Sequence, residues 1–464
     1  MSDKVRRLLV LLLIILKEAG PTAAQDCSSS SCLSSICDCS NRLPGLTSVP
    51  QDLPTNITWL DLRGNAITTL SQSDFSIYKS LTSLDFGSNQ ISMLQNKTFH
   101  NLTSLTHLYV NKNQITSLPA DMLVGLGDLR SLDLDDNQLS SLPADIFLGL
   151  GNLETLGLYN NQLTHVRANT FAGLGNLQNL HLSQNLLTNI PANIFAGLGK
   201  LQTLHLDRNM LTNLPTAIFA GLGNLNQLFL FENQFTTLPA DIFVGLGNLQ
   251  DLRLSQNKLS SLPVDIFAGL GNLKTLVLGG NGIRNIEAGT FCGTTKLHYL
   301  YLGNNKIKTI TAGTFQSLRQ LQTLHLFSNN MNTFPLEPLS NLSSVSNLRL
   351  DLNQMETLPA MAYDILASIL TVRIENNPWQ CDCSMLPFRQ RMNGSYLFEN
   401  QIRCAGPGTL TGQLLRDLNP EDLICDHKEI ESSAGPTGDG IALPTALLAV
   451  LCAFLGLCMN PLLP

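Results

Sequence analysis

Leucines and polar residues alternate along this chain in a unit that returns every 24 residues, and an asparagine closes the unit fourteen times, from Asn65 to Asn377, without a slip of register. The fourth copy reads Leu129, Leu132, Leu134, Asn137 and Leu139, the pattern L-x-x-L-x-L-x-x-N-x-L. Around its L-x-L core the side chains must alternate between two faces of a short strand. Leu132 and Leu134 are therefore predicted to point inward, and Ser131, Asp133 and Asp135 outward. Stacked in sequence order, the strands predict a parallel sheet with one apolar and one open face, roughly 60 Å long at about 4.8 Å per strand.

The other half of each unit carries a second fixed string, L-P-x-x-I-F-x-G-L-G-N-L, as in Leu142–Leu153. Its phenylalanine recurs at Phe75, Phe99, Phe147, Phe171, Phe195, Phe219, Phe243, Phe267, Phe291 and Phe315, with Leu123, Leu339 and Tyr363 in the same slot. These rings are predicted to stack into an internal spine. The asparagine falls where the chain turns away from the strand, where a buried carboxamide can satisfy backbone groups of two loops, so its expected role is structural. The whole string is that of the leucine-rich repeat. It implies an α/β solenoid, a horseshoe with a concave parallel sheet and about 14 repeats of 24 residues.

The two ends read differently. Lys4, Arg6 and Arg7, the apolar run Leu8–Leu16 and the small residues before Gln25 form a secretory signal over residues 1–24. Residues 441–464 are a hydrophobic tail with no Lys or Arg after it, preceded by Ser432-Ser433-Ala434-Gly435. That order fits a glycosylphosphatidylinositol anchor at Ser432 or Ser433 with the tail removed; a tail-less transmembrane form is the alternative. Sequons at Asn56, Asn96, Asn101, Asn341 and Asn393 fit a glycosylated, extracellular surface. A formal charge of −7 gives no reason to expect nucleic acid.

No unit buries its apolar side alone, so the array needs a lid at each end. Cys27, Cys32, Cys37 and Cys39 precede the first repeat, and Cys381, Cys383, Cys404 and Cys425 follow the last; in a secreted chain two groups of four read as disulfide-stapled caps, not zinc sites. The resulting division is an amino-terminal cap over 25–56, repeats over 57–368, a last strand and carboxyl-terminal cap over 369–427, and a short stalk with the anchor site over 428–440. Cys292 is left over; aliphatic residues in its slot elsewhere suggest a small buried thiol, and a disulfide to a partner chain is the sharper reading.

The ending Asn377-Pro378-Trp379-Gln380-Cys381-Asp382-Cys383, with Cys404 and Cys425, resembles the carboxyl-terminal cap of extracellular leucine-rich-repeat proteins, and Cys27–Pro54 resembles their amino-terminal cap. The resemblance implies Cys381–Cys404 and Cys383–Cys425, and by the same order Cys27–Cys37 and Cys32–Cys39. The uniform repeats and the anchor signal together are similar to the variable lymphocyte receptors, and the repeats also to Slit proteins, the Nogo receptor and the carboxypeptidase N regulatory subunit. Two features depart from the lymphocyte receptors: the 20 residues between Cys404 and Cys425 form a plain cap without an inserted loop, and the stalk is short.

While the outer string barely changes between units, the outward strand positions change at nearly every copy. The middle column runs Asp61, Asp85, Tyr109, Asp133, Gly157, His181, His205, Phe229, Arg253, Val277, Tyr301, His325, Arg349, Arg373, and beside it lie Tyr159, Asp207, Phe231, Tyr299 and Phe327. Aromatics interleaved with Asp and Arg fit a binding surface on the concave face; lateral stacking that only stabilises the sheet is the bland alternative. The expected ligand-binding set is Tyr109, Tyr159, His181, His205, Asp207, Phe229, Phe231, Arg253, Tyr299, Tyr301, His325 and Phe327. His181, His205 and Asp207 on an open sheet are poor metal ligands, and Asp133, Asp135 and Asp136 read as a solvated acidic patch and not a calcium site. Ser-His-Asp chemistry lacks a pocket, so neither an enzyme nor a cofactor is expected. The chain thus reads as a lipid-anchored cell-surface receptor for a protein or glycan ligand, microbial surfaces and immune recognition included, signalling through a co-receptor. The rival is an adhesive or matrix protein, or a regulatory scaffold subunit.

Overall fold

Every L-x-L core forms a three-residue strand with its central residue sealed inside: Leu132, Leu204, Leu228, Leu276 and Leu324 are all 0% exposed. The computed structural model describes residues 27–425; the signal segment, Ser432, Ser433 and the apolar tail lie outside the described residues. The described residues divide into two compact units, 27–186 and 187–425, both wound from the same 24-residue turn.

In the first unit the sheet begins with an antiparallel hairpin, Cys32–Leu33 against Ile36–Asp38, and continues in parallel through Trp59–Asp61, Ser83–Asp85, His107–Tyr109, Ser131–Asp133, Thr155–Gly157 and Asn179–His181. In the second, Thr203–His205, Gln227–Phe229, Asp251–Arg253, Thr275–Val277, Tyr299–Tyr301, Thr323–His325, Asn347–Arg349 and Thr371–Arg373 pair in parallel. The register is that of the repeat, so residues 24 apart lie side by side: Phe229 is flanked by His205 and Arg253.

The asparagines hold successive turns together. Asn137 Nδ2 donates to the carbonyl of Leu134 in its own turn (3.2 Å) and of Val110 in the turn before (3.0 Å), while its Oδ1 accepts from the Ile115 amide (3.1 Å). Asn257 repeats this with Leu254, Leu230 and Phe235 at 3.0–3.1 Å. The residue before each takes a left-handed turn, Asp136 at φ 53° and Gln256 at φ 54°, which the repeat pattern did not reveal. A second, exposed ladder runs along the G-L-G-N-L string, where Asn152 and Asn248 donate to Gly127 O (3.0 Å) and Gly223 O (2.8 Å) of the preceding turns.

The phenylalanine spine stacks as expected, with centroids 6.1 Å apart for Phe147–Phe171 and 6.0 to 6.4 Å apart in the run Phe195 to Phe315. Outside the spine seven turns carry a glycine at positive φ in one slot, such as Gly149 at 89°, a conformation that does not continue a helix. In the last two turns, where that slot holds Asn341 and Ile365, short helices form, Leu336–Ser340 and Ala360–Ala367.

Both caps are stapled. Cys381–Cys404 and Cys383–Cys425 match the implied order. The amino-terminal pairing does not: the bonds are Cys27–Cys39 and Cys32–Cys37, in place of Cys27–Cys37 and Cys32–Cys39. The hairpin explains the difference, since its register sets Cys32 directly opposite Cys37 with Cα atoms 4.0 Å apart and leaves Cys27 to meet Cys39. The slot of Cys292 is also not an interior one, because Leu148 and Val244 there are exposed; Cys292 is half-buried. In the carboxyl cap Trp379 is fully buried, and Tyr363, at the end of the spine, donates its hydroxyl to the buried Glu399 (2.8 Å).

Asn257→Ala strands the Phe235 amide and the Leu230 and Leu254 carbonyls, and is expected to lower stability by about 1–3 kcal/mol in urea denaturation.

Candidate functional site

The outward positions of the two units carry different chemistry. In residues 27–186 they are acidic and amide-rich. Arg63 forks onto Asp61, which is 1% exposed, and reaches Asp85 Oδ2 at 3.3 Å. Burial, countered by the Gly87 amide and aggravated by Asp61, pushes the Asp85 carboxyl up to about 6. Asp133 accepts from the Asp135 amide (2.9 Å), and Asp135 from the Tyr159 amide (2.6 Å). Burial first and the neighbouring Asp133 second raise Asp135 to about 7, and burial raises Asp133 as well. Gly157 occupies the middle column because a Cβ there would sit 2.7 Å from Asp135 Oδ1. An amide chain runs alongside, Gln184 to Asn160 (2.8 Å) and Asn160 to Asp136 (2.6 Å), with the Tyr159 hydroxyl on Gln184 (2.9 Å). Tyr109 stacks on His107 at 6.2 Å, and His181 lies in register beside Gly157.

In residues 187–425 the same columns are aromatic and cationic. Phe229 meets the His205 ring edge-on at 4.5 Å on one side and the Arg253 guanidinium at 4.7 Å on the other. Phe231 lies 6.3 Å from Phe229 and under Arg208, whose Cζ is 5.4 Å from the ring. A second stack joins Tyr301 to His325 (5.0 Å), His325 to Phe327 (6.1 Å) and Phe327 to Arg349 (4.1 Å). Phe327 can lie flat because Gly303 has no side chain; a Cβ there would stand 2.4 Å from the ring. Each arginine is oriented by a carboxylate, Arg253 by Asp251 (2.9 Å) and Arg349 by Asp351 (2.7 Å), and both are held protonated above their ordinary range, chiefly by those hydrogen bonds. Burial and the Arg349 charge keep the His325 imidazole below its usual pKa, and burial raises Tyr301.

The expected residues therefore sort into three kinds. Phe229, Phe231, His205, Tyr301, His325 and Phe327 are half-buried against one another, so lateral stacking is real; Arg253 and Tyr299 remain exposed. Asp207, expected on the open face, is 4% exposed and lies beside His205 (3.5 Å), sealed into the sheet by its neighbours. Between the two stacks lies an open depression of about 460 Å³ lined by Arg253, Thr275, Val277, Tyr299 and Tyr301. Sequence reasoning missed it: Thr275 and Val277 were unremarkable alone, and their small size against large neighbours was the signal. No group of His, Cys, Asp or Glu among the described residues is arranged to hold a metal ion. The sequon asparagines Asn56, Asn96, Asn341 and Asn393 are exposed and Asn101 is half-buried; none lies in a strand of the sheet. Among the described residues no helix is long and apolar enough to cross a membrane.

The model of the leucine rich repeat matches seven overlapping stretches that together run from residue 55 to 355, and the leucine rich repeat C-terminal domain matches 401–426. The chain belongs to the leucine-rich-repeat family. A curated relative, carboxypeptidase N subunit 2 of Mus musculus, is 45% identical over 51 residues, 11% of this chain and 9% of the relative. Toll from the Drosophila Toll–Spatzle complex is 25% identical with a TM-score of 0.64, over 80% of this chain and 59% of that one, so this leucine-rich-repeat protein spans well under the full length of either relative. A leucine-rich-repeat protein of Leptospira interrogans is 28% identical with a TM-score of 0.60, over 72% of this chain and 88% of that one.

Because Asp135 and Asp85 bind protons more tightly folded than unfolded, their ionisation destabilises the fold as pH rises from the ordinary carboxylate value toward about 7 and no further above it. Asp135→Asn is accordingly expected to gain stability over the parent across that interval, reaching about 1–4 kcal/mol at pH 8 and vanishing near pH 4 in thermal unfolding.

Proposed function

We propose that this chain is an extracellular recognition protein that binds a protein ligand on the outward sheet face of residues 187–425, with immune recognition as its setting. The carrying observation is the pair of stacks, His205–Phe229–Arg253 and Tyr301–His325–Phe327–Arg349, which hold rings and guanidiniums in fixed positions on a partly exposed surface. Side chains immobilised before contact lose little entropy on binding, and aromatic and arginine side chains dominate protein hot spots. The solved relative Toll in complex with Spatzle supports a protein ligand. Glycan or microbial ligands and a signalling co-receptor belong to the same reading.

A second reading, a scaffold or adhesive subunit, draws on the stretch similar to carboxypeptidase N subunit 2 and on the lateral stacking, which stabilises the sheet without any ligand. The two separate under substitution. With Phe229, Phe231 and Tyr301 all changed to Ser, the chain is expected to keep its fold by circular dichroism and to lose at least tenfold in binding to the cell or microbial surface that the parent binds. Unchanged binding transfers the function to another side of the repeats.

We further propose that the sequons Asn56, Asn96, Asn101, Asn341 and Asn393 are glycosylated and that a glycosylphosphatidylinositol anchor is added at Ser432 or Ser433, placing the chain on the cell surface. Phosphatidylinositol-specific phospholipase is expected to release it from expressing cells; retention favours a membrane span.

A further inference from the structure

The strand Thr275–Val277 carries small side chains between two strands that carry large ones. Val277 lies in register between Arg253 and Tyr301, and Thr275 between Asp251 and Tyr299, so the difference in side-chain length opens the depression of about 460 Å³. Val277 and Thr275 line its middle strand, Tyr299 and Tyr301 one side, and Arg253 the other. We propose that this depression anchors an acidic side chain, with an apolar neighbour, presented by the protein ligand; the proposal rests on the sheet face being the binding surface.

Arg253 supplies the matching group. Its Nε and Nη2 are engaged by Asp251 and its plane is braced against Phe229, which leaves the Nη1 edge of the guanidinium, on a side chain 44% exposed, without a hydrogen bond among the described residues. A carboxylate entering the depression meets that edge in a charge-assisted hydrogen bond while its stem packs on Val277. The turns that carry the depression are cationic when all their sides are counted. Residues 249–311 hold seven Lys or Arg against three Asp or Glu, a net of +4 in a chain of net −7. Lys274, an exposed cation outside the lining, directly precedes Thr275, and its backbone carbonyl accepts from the Tyr299 amide at 3.0 Å.

A sulfated polysaccharide fits less well. It needs a row of adjacent cations along the sheet, whereas the lining holds one cation, Arg253, followed in register by Val277 and Tyr301. A single acidic residue beside an apolar one fits both the charge and the shape.

The test is selection of binders to the full chain from a random dodecapeptide display library, followed by affinity measurement with Arg253→Gln and Lys274→Glu, each checked for an unchanged melting temperature. Selected peptides are expected to carry Asp or Glu next to an aromatic or aliphatic residue, to lose at least tenfold in affinity for either variant, and to weaken as salt is raised. Peptides lost with Phe229→Ser but lacking acidic residues, or indifferent to Arg253→Gln and Lys274→Glu, overturn the pocket while leaving the face as the binding surface. Peptides indifferent to all of these substitutions overturn both. Heparin binding that depends on Arg253, without any acidic peptide being selected, overturns the protein-side-chain ligand in favour of a sulfated glycan.

Discussion

One carboxamide per turn is the constraint on which the remaining structure depends. Each strand is only three residues long and cannot fix its own position; the turn after it leaves backbone donors and acceptors pointing inward, away from water. The ladder asparagine supplies two donors and an acceptor at that point and divides them between its own turn and the preceding one. No other side chain of that length offers both functions, which is why the position tolerates no exchange across fourteen copies. Leucine burial then follows, because turns held at a fixed spacing bring their apolar sides together.

With the frame determined from within, the outward positions are free to vary, and their contacts run sideways. A ring on one strand is braced by a guanidinium or imidazole 22 or 24 residues away, so the face is rigid although its residues are polar or aromatic and partly wet. Rigidity and exposure usually compete, since an exposed side chain gains entropy by moving. Stacking across the register lets Phe229 and Phe327 have both. In the acidic unit Asp133 and Asp135 are fixed by backbone amides; burial resists the ionisation of both, and the neighbouring Asp133 adds to it for Asp135.

The period, strand positions, phenylalanine spine and carboxyl-terminal cap were legible in the sequence because each is a repeated or spaced pattern set by local geometry. What was not legible depended on neighbours that a single repeat does not display. Asp207 is a polar residue in an outward column, yet its burial is decided by the side chains around it. The amino-terminal disulfides followed a hairpin register that cysteine order does not encode. Tyr363, in a phenylalanine slot, hinted at a polar partner, but Glu399 is 36 residues on and outside any repeat. The depression above Val277 is a difference in size between adjacent rungs, and no single rung displays it.

Since every ladder asparagine reaches back by one turn and no further, duplicating or excising one whole 24-residue segment leaves each carboxamide with the partners it requires. Backbone bonding is therefore indifferent to how many rungs the coil contains. The face is not indifferent: the same edit would slide His205 away from Phe229, or Arg349 away from Phe327, and create a different set of juxtaposed groups from unchanged side chains. A coil of this design can acquire new surface chemistry by shuffling intact rungs, without a single point substitution.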